Sequence, residues 1–130
     1  FLYHFAIVVQ IALRVYTAYN VYFCNCLAHV IIAHFFNDVA QVNWEKHLPK
    51  MYDFWDSIIR NQHNYHGSPM PKHIALSEKS SMKKEHFERW LQLFNSTLDE
   101  LFEGEKTELA KTRALSIATV MEIKVYAPQQ

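Results

Sequence analysis

The sequence predicts an all-α protein, and three observations carry that reading. Only two glycines and four prolines punctuate 130 residues, too few for many short strands joined by tight turns. Apolar residues recur at three- and four-residue intervals over long stretches of the C-terminal two-thirds. Half the residues are hydrophobic, with nine Phe, seven Tyr and three Trp, enough to fill the core of one domain spanning residues 1–130.

The N-terminal segment is apolar and almost uncharged; Arg14 is the sole Lys, Arg, Asp or Glu before Asp38. "FLYHFAIVVQIAL" is shorter than the roughly 20 apolar residues of a membrane span. It lacks the basic start of a signal peptide. Asn20, Asn25, His29 and His34 follow, all costly in lipid. The expectation is helices packed into a core or against a partner, not a membrane span. Phe1 in place of an initiator methionine reads as a fragment or a processed chain.

Near Asn37–Asn43 the character changes. Asn43 is a helix cap before Trp44, Glu45 and Lys46, and Pro49 is tolerable only near that start. His47, Leu48, Met51, Phe54, Trp55 and Ile58 form one buried stripe of a helix that ends near Arg60. "NQHNYHGSPMP" reads as a loop. From Lys83 a long amphipathic helix carries Phe87, Trp90, Leu91, Phe94, Leu98, Leu101 and Phe102, with Gly104 suited to its stop. A last helix runs from about Thr107 to Val125, and "APQQ" is a frayed tail.

Composition excludes several functions. Basic and acidic residues number 13 each, giving zero net charge, which argues against a nucleic-acid partner. Cys24 and Cys26 are the only cysteines and complete neither a zinc set nor a disulfide framework, so a reducing, cytoplasmic setting is expected. There is no HExxH, no GxSxG and no phosphate-cradling glycine loop.

Among eight histidines, three sit at telling places. His47 lies on an inward-facing stripe, where a histidine often completes a hydrogen bond at the core edge. His73 follows two prolines, Pro69 and Pro71, and precedes Ile74 and Leu76. His86 opens the long helix, where a solvated side chain is expected. Two inward imidazoles around an aromatic pocket, without an acidic cluster, suit haem iron held axially by one proximal histidine. The other imidazole then stands on the distal face.

The blocks "WEKHLPKMYDFW", "YHGSPMPKHIAL" and "HFERWLQLF", in this order and spacing, resemble the group III truncated haemoglobins, a bacterial globin family. The resemblance runs from about Phe35 to Lys124; residues 1–34 are atypical of the family. It implies a two-over-two helical sandwich around haem b that binds dioxygen, nitric oxide or carbon monoxide, with nitric oxide or peroxide redox chemistry and a reductase partner in prospect. Whether the protein is an enzyme stays open. The resemblance makes His73 the proximal iron ligand and His47 the distal histidine, with Met51 an apolar wall one turn on. Trp90 becomes a distal hydrogen-bond donor, and Phe36 (or Phe35) a packing partner of the porphyrin. Trp55 and Phe94 read as core. The family's distal tyrosine maps one residue out of register, onto Tyr22 in a "YF" pair. Two other readings stand beside this one: a six-coordinate electron-transfer haem bound by His47 and His73, and a haem-free helical interaction module that uses its apolar N-terminus.

Overall fold

The computed structural model describes residues 30–61, 63 and 65–126. They form α1 (Val30–His34), a π-helical turn (Phe35–Val39), α2 (Trp44–Arg60), α3 (Met70–Lys79), α4 (Lys84–Leu101) and α5 (Glu105–Tyr126), with no strand among the described residues. The all-α expectation is met. Helices α4 and α5 form a hairpin; α1 lies against α4, while α2 and α3 both pack on α5. The result is one helical pair laid over another, with α3 closing the side.

The core is built from Ile32, Trp55, Leu93, Phe94, Ala110 and Ala114. Trp55 of α2 stacks on Phe94 of α4 at 4.7 Å between ring centroids, and Phe94 stacks in turn on Trp90 at 5.5 Å. Such offset aromatic pairs add about 0.5–1.5 kcal/mol beyond the area they bury. Trp55 and Phe94 are core residues, as the periodicity predicts.

The buried stripe of α5 is Thr107, Ala110, Ala114, Ala118 and Met121, while Leu115 and Val120 are exposed. Small side chains on the contact line let two helix backbones approach closely, because interaxial distance is set by what lies between them. On α4, Thr97 is buried with its hydroxyl donating to the Leu93 carbonyl at 2.8 Å, so its polar group carries no unmet demand.

The helix ends follow local chemistry. Asn43 is extended and its Oδ1 accepts from the Lys46 N–H at 3.1 Å. Pro49 sits in the second turn of α2, where it removes one ladder hydrogen bond. Asn61 ends α2 in the left-handed conformation. The first four residues of "SPMP" divide otherwise than expected: Pro69 is the N-cap of α3, and Met70 and Pro71 already belong to the helix. Proline is tolerated there because a first-turn N–H has no intrahelical partner. The loop is drawn back onto α2 by Tyr65, whose N–H donates to the Ser57 hydroxyl at 3.1 Å and whose ring meets Phe54 edge-on. Phe102 ends α4 in an extended conformation instead of continuing it.

His86 differs from its expected solvated state. Its side chain is 12% exposed, and its Nδ1 accepts from the Lys83 N–H at 2.7 Å, closing the first turn of α4. Phe35 lies edge-on to it at 4.9 Å. Desolvation lowers the His86 pKa; Glu85 opposes this, whereas His34 and Lys83 reinforce it. A protonated Nδ1 could not accept the Lys83 hydrogen bond. An imidazole with a folded-state pKa below its unfolded value of about 6.5 leaves stability intact above that pH. That stability is lost as pH falls through the folded-state value. Replacing His86 with Gln keeps an acceptor and removes the titration. Denaturant melts at pH 7.5 and pH 5 are expected to show a smaller acid loss in His86→Gln than in the wild type, and an equal loss would reject the account.

Candidate functional site

The π-helical turn aims two adjacent aromatics at different neighbours. It is closed by the Ala40 N–H donating to the Phe35 carbonyl at 2.9 Å. Such turns arise where one extra residue is accommodated in a helix, often at functional sites. Phe35 is buried against His34 and His86, whereas Phe36 is half-buried and meets Trp44 at 5.6 Å. Trp44 in turn meets the His47 ring edge-on at 5.9 Å. Phe36, Trp44 and His47 therefore form one aromatic row from the π turn to the first turns of α2. Phe36, and not Phe35, lies on the His47 side.

Met51 stands one turn beyond His47 and packs against the core together with Leu48 and Trp90. Trp90 is half-buried, with its ring stacked on Phe94. Tyr22 lies outside the described residues.

On α3, His73 is half-buried, and one carbonyl organises it. The Pro69 carbonyl accepts from the His73 backbone N–H at 3.2 Å and from the ring Nδ1–H at 2.8 Å. A carbonyl can only accept, so Nδ1 carries the proton, and in the neutral imidazole Nε2 then keeps its lone pair. No hydrogen-bond partner meets Nε2 among the described residues. This is the arrangement by which proteins fix the tautomer and orientation of an imidazole that binds a metal. Proline fixes φ at Pro69 and thereby limits how that carbonyl can turn.

The two histidines sense each other. Burial lowers the His47 pKa, and the charges of His73, Lys50 and Lys72 push it further down, in that order. His47 is thus held neutral between α2 and α3, with exposed lysines of both helices nearby. The structure joins Phe36 to His47 through Trp44, sets Met51 one turn on, keeps Trp90 stacked on Phe94, and sets His73 on α3 within electrostatic reach of His47. Trp44, Lys50 and Lys72 were not singled out by sequence reasoning as parts of this site; Pro69 was, as part of the stiff entry to His73, but not as the carbonyl that holds the ring. The i, i+4 spacing of Pro69 and His73 is the signal that could have found that carbonyl's role. Among the described residues no group of three His, Cys, Asp or Glu side chains is arranged to hold a metal ion.

Five helices of this arrangement, with a histidine on α2 and another on α3, have the fold of a truncated globin. Its fold superposes on the crystal structure of a group III truncated haemoglobin from Campylobacter jejuni with a TM-score of 0.76 and 21% identity, covering 92% of this chain and 94% of that one. In sequence the chain is 30% identical over 83 residues to a group 3 truncated haemoglobin of Campylobacter jejuni, an alignment covering 64% of this chain. The chain spans 63% of the length of that curated relative. No protein-family model matches it. In sequence and in fold the chain is thus similar to group III truncated haemoglobins, in keeping with the resemblance read from the three sequence blocks.

Side-chain tautomers are directly measurable. Long-range proton–nitrogen spectra of the haem-free protein at pH 8 are expected to show His73 as the Nδ1–H tautomer. An Nε2–H pattern would mean that the Pro69 carbonyl does not hold the ring.

Proposed function

We propose that this chain is a haem-binding globin whose iron ligand is His73 and which binds a diatomic gas on the opposite, His47 side. The observation that carries the reading is the His73 ring, tied through Nδ1–H to the Pro69 carbonyl at 2.8 Å with Nε2 unengaged among the described residues. Haem b supplies an iron centre that takes dioxygen, nitric oxide or carbon monoxide and can change oxidation state.

The residues present fit that group. A neutral imidazole is the required donor, and the hydrogen bond at its far nitrogen raises its basicity and fixes its plane. Phe36 and Met51 offer apolar walls, which keep the region dry. Lys50 and Lys72, near enough to His47 to lower its pKa, suit the two carboxylates of a porphyrin. The Trp90 indole N–H is a donor for a polarised ligand, and Tyr22 is a second candidate donor. A hydrogen bond to a charged acceptor contributes about 1.5–3 kcal/mol, roughly ten- to a hundredfold in ligand release. Any redox turnover of nitric oxide or peroxide requires an electron donor, for which a reductase is the natural partner. The relatives bear the name haemoglobin, and the kinship supports this reading.

A cytoplasmic location accords with the two-cysteine composition. Among the described residues no helix is long and apolar enough to cross a membrane.

The testing experiment is a haem titration followed by absorption spectroscopy. Wild type is expected to bind one equivalent and show an intense Soret band. His73→Ala should lose the histidine-ligated spectrum and regain it with added imidazole. An unchanged ligation spectrum in His73→Ala would overturn the assignment.

The electrostatic contact between His47 and His73 also favours a second reading, in which both imidazoles bind the iron and the protein transfers electrons. The ferrous, ligand-free spectrum separates the two. A five-coordinate spectrum supports gas binding. A six-coordinate one that becomes five-coordinate in His47→Ala supports electron transfer, whereas one unchanged in that variant removes His47 as the sixth ligand.

A further inference from the structure

A second pair of imidazoles, which the proposed haem site does not use, sits where three segments meet. His34 ends α1, Ser80 caps the C-terminus of α3, and His86 lies in the first turn of α4. A long hydrogen bond of 3.5 Å links His34 Nε2 to the Ser80 hydroxyl. The two imidazole rings stand edge-on at 6.2 Å between centroids. Phe35, only 3% exposed, touches both, at 4.0 Å from His34 and 4.9 Å from His86.

What this cluster holds lies next to both histidine-bearing helices. The Phe35 carbonyl accepts from Ala40 and so closes the π turn, and Phe36 begins the aromatic row that ends at His47. Helix α3, which carries His73, has no buried residue and therefore depends on how its ends are held. Ser80 is one of those ends, and its N–H closes the last turn on the Leu76 carbonyl at 3.0 Å. Two residues further on, the Lys83 N–H donates to His86 Nδ1 and starts α4.

We propose that His34 and His86 form an acid-released latch that holds the end of α3 and the start of α4 against the π turn. With His86 neutral, the Lys83 cap, the His34–Ser80 contact and the Phe35 packing are satisfied together. A proton on Nδ1 turns the acceptor into a donor facing another donor, so the cap opens. Among the described residues the charged or titratable groups that act on His86 are Glu85 and Lys83 of its own turn and His34 of α1; Ser80 of α3 and Phe35 of the π turn are neutral. Burial opposes the proton first, and His34 and Lys83 add to that; Glu85, an exposed carboxylate 3.9 Å away, favours it. The folded-state pKa of His86 thus lies below its unfolded value of about 6.5. The latch is whole above that pH and is lost as pH falls through the folded-state value. Its release is local: two helix ends and the π turn are freed, while the Trp55–Phe94 core stays packed.

The latch needs no haem, so the His73 assignment can fail without affecting its test. Amide hydrogen exchange is followed by NMR on the full chain at pH 7.5 and pH 5, each rate divided by its intrinsic value. In the wild type, protection of the Ser80, Lys83 and Ala40 amides is expected to fall about tenfold at pH 5, the linkage gain of one suppressed imidazole. The Leu93 and Thr97 amides in the core should keep theirs. His86→Gln, which keeps an acceptor without titrating, should hold all three amides at both pH values. In His34→Gln the pKa of His86, read from its ring proton signals, should rise because a repelling ring is gone. That variant also carries the test if His86→Gln does not fold. Loss confined to Lys83 would leave a helix cap and no latch, and equal loss at Leu93 and Thr97 would mean general acid unfolding. Either result, or an unchanged His86 pKa in His34→Gln, would overturn the proposal.

Discussion

The stack of Trp55, Phe94 and Trp90 is the contact on which the arrangement depends. It joins α2 to α4, and the alanine stripe of α5 lets α5 close on both. Trp55 lies two turns below His47 on the same helical face, so fixing Trp55 fixes where His47 emerges. Met51 stands between them. The position of the first histidine is thus inherited from core packing, and its neutrality from the burial that packing produces.

The second histidine is placed by a different kind of constraint. Helix α3 has no buried residue, so packing density does little to orient it. Its conformation is set locally. Pro69 caps the helix, Pro71 preorganises the first turn, and Tyr65 ties the preceding loop to Ser57 and Phe54. Gly67, with φ near 146°, permits a backbone turn that other residues rarely adopt. Both hydrogen bonds to the Pro69 carbonyl then converge on His73.

Much of this was legible in the sequence because the governing signals are local or periodic. Asn43 before Trp44 marked the start of α2, and the stripe from His47 to Ile58 marked its buried face. Trp55 and Phe94 were identified as core because large aromatics at helical spacing have few other places to go. The three blocks carried the kinship. What escaped was non-periodic or depended on a partner helix. Ala114, fully buried, is part of a contact line with Ala110 and Ala118 only because another backbone comes close. His86 looked solvated because its acceptor role depends on the turn it closes. Lys50 and Lys72 are ordinary surface lysines in sequence and gain meaning only through their distance from His47.

The contrast between the two histidines has a functional consequence. His47 rides on a helix held by the core, and any shift of α2 that moves it must disturb the aromatic stack. His73 rides on a helix held by prolines and a loop tether, so it can adjust in position while its ring plane stays locked to its own backbone. A metal ligand benefits from that combination, because orientation and basicity are set before binding while distance remains adjustable. The stiff segment ahead of His73 therefore does more than restrict the chain: it supplies the carbonyl that decides which ring nitrogen carries the proton.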